Sequence, residues 1–232
     1  MPSWKCAGLA LLAALLAACQ PAAPGRPSVH GVGAVVPPAG AVVYRIEGGA
    51  SSLQVLAYRA GPLAALGHDH VITNSALGGW VLAAGAVTAS SFRIDIQTSR
   101  FVVDDAAARR AAGADFSEPV AEDARAGTRA HMLGPTQLDA ARFPTIVVRS
   151  LAIRGSAPRF AATVAIQIAG RKATLTVPFV LSRSRDRLTA SAAFTLRQSA
   201  LGLTPYSVML GALRVRDQVR VALRIVAIAG RT

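Results

Sequence analysis

Cysteine, acidic residues and aromatic residues are all scarce in this chain of 232 residues. It has two cysteines, Cys6 and Cys19, and aromatic side chains make up 5% of it. Both cysteines lie in the N-terminal segment, so we expect no disulfide in the folded domain, which burial alone must stabilise. A domain of about 190 residues can do this, because chains of that size bury roughly 70% of their unfolded surface.

A membrane-spanning run and the short motifs of common enzymes are also missing from the sequence. The N-terminal apolar stretch, Ala7 to Ala18, is shorter than the roughly 20 residues that a helix needs to cross a bilayer. There is no Gly-x-Ser-x-Gly, no His-Glu-x-x-His and no glycine-rich phosphate loop before a helix. These absences favour a binding or structural protein over an enzyme.

Basic residues clearly outnumber acidic ones. The chain has 25 Lys and Arg against 12 Asp and Glu, a formal net charge of +13 at pH 7. The basic residues are scattered along the chain and not gathered into a run, so we do not expect nucleic acid as a partner. Two explanations stay open, namely the compositional bias of an alanine-rich chain and attraction to anionic lipid headgroups or a phosphorylated ligand head.

The N-terminus has the features of a bacterial lipoprotein signal. A short basic region and an apolar run precede Leu16-Ala17-Ala18-Cys19, which follows the pattern of a lipobox. This predicts a signal peptide over residues 1–18, cleavage before Cys19 and lipidation of Cys19, with an ordinary secretory signal as the alternative. We therefore expect membrane attachment through a lipid anchor in a bacterial cell envelope, facing the periplasm. Gln20 after the cysteine favours the outer membrane.

A proline-rich segment separates this signal from the rest of the chain. Residues 19–40 contain five prolines with scattered Gly and Ala, and they show neither strand nor helix periodicity. This composition is typical of a linker. The sequence therefore predicts a tether over residues 19–40 and one folded domain over residues 41–230.

Alternation of apolar and polar residues dominates the folded domain. From Phe160 to Ile168, for example, every second residue is apolar, as in a half-buried strand. The same pattern predicts strands near 42–47, 51–60, 76–84, 87–103, 145–154, 159–169, 172–184, 187–198 and 214–228. No long helices alternate with them, so the sequence predicts an all-β fold, an antiparallel barrel of about eight strands.

Residues 104–143 interrupt the strand pattern. Asp104 and Asp105 precede Ala106–Ala112 as a helix cap would, and Glu122 lies three residues after Pro119 in a second helical start. This predicts a short helical insertion in the barrel. An excursion of this kind acts either as a lid over the barrel or as packing alone.

The inward-facing residues of such a barrel would form the wall of any cavity. Eight strands are enough either to be filled by side chains or to hold one small ligand. Many inward positions are small, which favours a hollow barrel over a filled one. The candidate ligand contacts on this face are Val55, Ala57, Phe92, Ile94, Phe160, Val164, Ile166, Val177, Phe179, Phe194 and Leu196.

Gly67-His68-Asp69-His70 is the cluster most suggestive of chemistry. In extended backbone, His68 and His70 project to one face and could chelate zinc, copper or haem iron. A third ligand would have to come from Asp69, His131 or His30. The alternatives are that the histidines bond backbone at the end of a crossing loop, with Asp69 fixing a tautomer, or that they contact a ligand head.

Several short motifs occur in an order that resembles one known family. They are Tyr44-Arg45-Ile46-Glu47, residues 67–72 before Gly78-Gly79-Trp80, Phe92 to Ile96, Leu138-Asp139, Phe143 to Ile146, Phe194-Thr195-Leu196, Gly202 to Pro205 and Val215-Arg216-Asp217. Over about Val42 to Ala227 the chain resembles the YceI-like family, periplasmic polyisoprenoid-binding proteins with a lipocalin-like barrel. The resemblance implies a lipocalin-like fold around an apolar tunnel that holds a polyisoprenoid, quinone or similar amphiphilic lipid. It implies no reaction and no required cofactor.

Overall fold

The computed structural model describes residues 40–230. The predicted signal peptide, the lipidation site Cys19 and nearly all of the predicted tether lie outside the described residues, so those predictions stay open. Between residues 40 and 230, no helix is long and apolar enough to span a membrane.

Strands make up most of the domain, and two α-helices interrupt them. The elements in chain order are β1 Val42–Ile46, β2 Ser52–Ala57, β3 Arg59–Ala60, β4 His70–Asn74, β5 Leu77–Ala83, β6 Ser91–Gln97, β7 Val102–Val103, α1 Ala106–Ala112, α2 Glu122–Leu133, β8 Thr145–Ser156, β9 Arg159–Ile168, β10 Arg171–Arg183, β11 Arg187–Arg197, β12 Ser207–Val208, β13 Leu213–Val215 and β14 Gln218–Ala229.

The main sheet closes into an antiparallel barrel. Its strand order is β1-β5-β6-β8-β9-β10-β11-β14, and β14 pairs back onto β1. Tyr44 is paired with Val81 on one side and with Ala229 on the other, so β1 seals the barrel. The inward rows along the strands are largely apolar, which is why closure buries these side chains together. The predicted eight-stranded barrel is confirmed.

Three neighbouring barrel strands are each broken in two. The two parts are β1 with β2, β4 with β5, and β6 with β7. β14 pairs with both β1 and β2, and the other second parts follow in the same order, since β2 pairs with β4 and β4 pairs with β7. One break needs a glycine, since a Cβ on Gly48 would lie 2.9 Å from the Leu77 carbonyl oxygen. The continuous strand predicted over residues 87–103 is therefore wrong. Its first residues form a 3₁₀ turn, and a second turn at Thr98–Arg100 separates β6 from β7.

Strand β4 was not predicted. It begins at His70, the last residue of the histidine cluster, for which the end of a loop was one of the alternatives. β3, β12 and β13 form a small separate sheet, so the strand predicted over 51–60 and the one that begins at 214 are both divided. α1 spans the predicted residues, and Asp105 Oδ1 caps it by accepting from the N–H groups of Ala107 and Ala108, both at 3.0 Å. The second helix begins at Glu122, as its start signal indicated.

The two ends of the barrel differ. The insertion end contains the helical insertion between β7 and β8 and the segment between β11 and β14. The hairpin end contains the tight turns β8–β9 and β10–β11 and the loop between β5 and β6. Gly40, where the described chain begins, is next to the start of β1 and so lies at the hairpin end.

Candidate functional site

A cavity of about 350 Å³ lies inside the barrel. Inward side chains of the barrel strands form its wall, and nearly all of them are apolar. The polar exceptions are Ser90, Gln137, Arg183, Ser191 and Gln198. Pockets of about 300–1,000 Å³ hold small molecules in many proteins, so this cavity is large enough for a ligand. Its wall offers the ligand almost nothing but hydrophobic contact.

Ten of the eleven candidate lining residues border this cavity. They are Val55, Ala57, Phe92, Ile94, Val164, Ile166, Val177, Phe179, Phe194 and Leu196. Phe160 is the exception, because it is stacked on Phe179 with ring centroids 5.7 Å apart and is packed with Ile153, Ala162 and Val164. It faces inward as the alternation indicates, but its ring is covered by these neighbours and does not border the cavity. The assignment of all these residues as ligand contacts stays a prediction.

The insertion end of the cavity is closed by residues that the sequence patterns missed. Met132 of α2 and Leu138, which follows it, line the cavity together with Leu201 and Leu203 from the segment after β11. Leu138, Leu201 and Leu203 are buried. Their signal was weak, because they lie in short mixed segments without a sustained strand alternation. The helical insertion therefore contributes to the cavity wall and does more than pack on its outside.

Arg183 marks the opposite opening. It continues the inward row of Val177, Phe179 and Leu181 on β10, borders the cavity and is exposed. A residue that is both exposed and part of the wall shows that the cavity reaches the surface at the hairpin end. Ser90 borders the same opening from the β5–β6 loop. The alternation on β10 contained this signal, since it places a cation at the end of an apolar row.

The histidine cluster is arranged differently from the predicted chelate. His70 begins β4, and its Nδ1 lies 2.6 Å from Asp104 Oδ2, while the His68 ring is 6.4 Å away between centroids. Asp69, expected to fix a tautomer, instead accepts a hydrogen bond from the Arg59 backbone N–H at 2.7 Å. Asp104 orients His70 in its place.

Neither of the other two histidines is seen beside His68 and His70 in the described residues. His131 packs against Tyr206 in a tilted arrangement with centroids 4.9 Å apart, and His30 lies outside the described residues. Over residues 40–230, no group of three or more His, Cys, Asp or Glu side chains is placed to hold a metal ion. The geometry therefore gives the predicted metal or haem site no additional support.

Asp104 is the centre of a buried polar network. It is 1% exposed and accepts hydrogen bonds from the Val71 N–H at 2.8 Å and from Arg109 Nη1 at 2.6 Å. Burial acts to raise the pKa of its carboxyl, but the bonds to His70, Val71 and Arg109 outweigh burial and lower that pKa below its usual range. Sequence reasoning assigned Asp104 only to a helix start and missed this network.

Arg109 extends the network into the insertion. Its Nη1 also donates to the Asp69 carbonyl at 2.7 Å, and its Nη2 donates to the Glu118 carbonyl at 2.7 Å. Arg109 is 6% exposed, which is rare for an arginine unless its charge is paired. The network therefore connects β4, helix α1 and the segment before α2, and it holds the insertion against the end of the barrel that it closes.

Comparisons with known proteins agree with this architecture. BcnA from Burkholderia cenocepacia has a similar structure, with a TM-score of 0.58 and 15% identity over 78% of this chain and 98% of that one. A polyisoprenoid binding domain from Saccharophagus degradans, implicated in plant cell wall breakdown, is similar with a TM-score of 0.56 and 10% identity over 82% of this chain and 99% of that one. At these identities the likeness shows the fold alone.

Comparison with curated protein sequences gives no significant match. The sequence profile of the YceI-like domain matches residues 67–227, which is more than half of the chain. This match includes β4 to β11 and most of β14, so it contains the greater part of the cavity wall. The chain therefore belongs to the YceI-like domain family.

Proposed function

We propose that the protein binds an amphiphilic lipid, of the polyisoprenoid or quinone class, with the apolar chain inside the barrel. The observation that carries this proposal is the cavity of about 350 Å³ with its almost wholly apolar wall. The name of the similar Saccharophagus degradans domain supports the same ligand class. A barrel filled by its own side chains, the structural alternative, would leave no such space.

Hydrophobic transfer is sufficient to retain such a ligand. Each buried carbon group contributes about 0.8 kcal/mol, so one five-carbon isoprenoid unit contributes about 4 kcal/mol before ordering costs. Two or three units inside the cavity would then outweigh the loss of translational freedom. The wall has no ring of polar groups that would reject a chain. The cation at the opening, Arg183, would contact the head of a bound amphiphile.

The proposal includes the location of the protein. We place it at the periplasmic face of a bacterial membrane, with lipid on Cys19 as the anchor. The residue after Cys19, Gln20, favours the outer membrane. Its role is binding and not catalysis, and it needs no cofactor. Support for this location comes from the lipobox pattern alone. Metal or haem binding through His68 and His70 is not proposed, because no group of three or more candidate ligands is placed to hold a metal ion in the described part of the chain.

Solvent extraction of the purified protein tests the function directly. The full chain is produced in bacteria, purified without detergent carry-over and extracted with organic solvent, and the extract is identified by mass spectrometry. We expect a lipid with an isoprenoid or similar long apolar chain in near-stoichiometric amount. Protein that is empty and takes up neither added polyprenol nor quinone would refute the proposal.

A matched pair of variants on β11 assigns the ligand to the cavity. Ala192 lines the cavity, whereas Ala193 points outward and is exposed. A cavity of about 150 Å³ can hold a benzene ring, so the phenyl group of Ala192→Phe would occupy a large part of the space. We expect Ala192→Phe to lose most of its lipid and Ala193→Phe to keep it. Equal lipid content in the two variants would show that the ligand binds elsewhere.

A further inference from the structure

Five arginines lie on two adjacent turns at the open end of the cavity. Arg154 and Arg159 flank the β8–β9 turn, and Arg183, Arg185 and Arg187 occupy the β10–β11 turn. The two turns are neighbours, because the Leu181 N–H donates to the Pro158 carbonyl at 2.9 Å. All five side chains are exposed, and Asp186 is the one acid in these two turns. We call these five residues the arginine rim.

The rim arginines are not used inside the protein. None of them forms an ion pair or donates a side-chain hydrogen bond to any residue in the range 40–230. Arginines elsewhere do so, for example Arg109 with Asp104 and Arg129 with the Phe101 carbonyl. Five cations on adjoining turns, none of them paired within the described range, create a local positive potential that attracts anions.

The surroundings of the rim are apolar and uncharged. The β5–β6 loop, residues 84–90, contains no charged side chain, and Val42 and Val180 at the same end are 42% and 47% exposed. The rim also borders the apolar cavity through Arg183. Cations around exposed apolar groups suit the boundary between the headgroups and the acyl chains of a membrane. A soluble polyanion would satisfy the charges but not the apolar groups.

We infer that the arginine rim docks on an anionic lipid surface, so that the open end of the cavity faces the membrane. Gly40 lies at this same end, and residues 20–39 connect it to Cys19. The proposed anchor at Cys19 therefore joins the domain at the end that carries the rim, so the anchor and the rim would meet the same bilayer. A ligand can then pass between bilayer and cavity without crossing water. The docking does not depend on the proposed ligand, whereas this last consequence rests on the proposed function.

Vesicle binding by matched variants tests the rim. The rim variant carries Arg154→Gln, Arg159→Gln and Arg185→Gln, none of which lines the cavity. The control variant carries Arg149→Gln, Arg220→Gln and Arg224→Gln, which remove three exposed arginines from the barrel wall. Both lose the same charge. A third variant with lysine at the three rim positions keeps the charge.

Partition of the full chain is measured on phosphatidylcholine vesicles, with and without phosphatidylglycerol. The neutral vesicles correct each variant for binding through its N-terminal segment. Each basic residue near an anionic surface strengthens binding about fivefold, so the rim variant should bind anionic vesicles roughly 100-fold more weakly at low salt. The control and the lysine variant should stay near wild type, and high salt should remove the differences because it shortens the Debye length to about 3 Å at 1 M.

Three results would overturn the inference. The first is an equal loss of vesicle binding in the rim and control variants, which would show an effect of net charge alone. The second is no loss of binding in either variant, and the third is a loss of binding that persists at high salt. Lipid content measured by extraction separates this test from that of the proposed function, because the rim variant leaves the cavity wall unchanged. An empty protein that still docks through the rim would refute the ligand and leave the docking intact.

Discussion

Replacement of Arg109 by methionine tests the role of the buried network. Arg109 is the cation that pairs with Asp104, whose side chain is fully buried, and it also satisfies the carbonyl groups of Asp69 and Glu118. Methionine keeps much of the side-chain volume and removes the charge. The carboxylate of Asp104 would then keep only His70 and the Val71 N–H as partners.

The expected cost follows from the burial of this pair. Breaking a buried ion pair by removing one partner costs about 3–5 kcal/mol, because the remaining charge is left uncompensated. For a domain of this size each kcal/mol lowers the melting temperature by about 2–4 °C, so Arg109→Met should melt roughly 10 °C below wild type. Arg110→Met is the matched control, since Arg110 is the next residue of α1 and is exposed. It should change the free energy of unfolding by at most about 0.5 kcal/mol.

Urea denaturation followed by circular dichroism measures Arg109→Met, Arg110→Met, Asp104→Asn and the double variant Arg109→Met with Asp104→Asn. Because the two side chains are in contact, the cost of the double change should be well below the sum of the single costs. A loss below about 1 kcal/mol for Arg109→Met would refute the reasoning, since it lies under the range expected for a buried pair. Additive costs would refute it as well, because they would show that the pair does not interact.

Three further changes test other parts of the fold. Because the pKa of Asp104 is lowered in the folded state, the unfolded state takes up this proton first on acidification, and stability should fall as the pH drops below about 4. Melting curves at acid pH should show a smaller loss for Asp104→Asn. The exposed control Asp115→Asn should lose as much stability as wild type. Asp105→Ala removes the cap of α1 and should cost about 1 kcal/mol in urea unfolding. Gly79→Ala places a Cβ 2.0 Å from the Arg93 carbonyl oxygen at φ +119°, so it should destabilise strongly, whereas Gly78→Ala meets no atom within 4 Å and should not. Similar melting temperatures for the two glycine variants would contradict the close approach.

Alternation was sufficient to predict the barrel and most of its inner face. On β9 and β10, long uninterrupted strands keep one face apolar, so the period of two assigns Val164, Val177 and Phe179 inward without any knowledge of tertiary structure. The same rule cannot say how deeply an inward residue lies. Phe160 faces inward but stacks on Phe179. Whether it borders the cavity depends on how β9 packs beside β10, which the sequence period does not give.

The buried network could not be predicted from local sequence. Asp104 and His70 are 34 residues apart, and they meet because β7 pairs with β4. Asp104 also adopts a φ of +54°, which nothing in the local pattern of two adjacent aspartates required. Likewise, Met132 and Leu138 enter the cavity wall only because the insertion lies across one end of the barrel. Contacts of this kind depend on topology and not on periodicity.

The three broken strands make the barrel wall unequal around its circumference. β8 to β11 and β14 are continuous strands, while the breaks at residues 47–51, 75–76 and 98–101 lie side by side on the other half. The ladder between β10 and β11 is short as well, because it is confined to Val180–Arg183 and Leu188–Ser191. Fewer ladder hydrogen bonds at these two places mean a lower free energy of local opening, so amide protons there should exchange with deuterium before those of β9, which pairs with β8 on one side and β10 on the other. The barrel can therefore expand at these two places while β8 and β9 stay rigid. Such local compliance would let a single wall accept proposed ligand chains of different length and branching without unfolding.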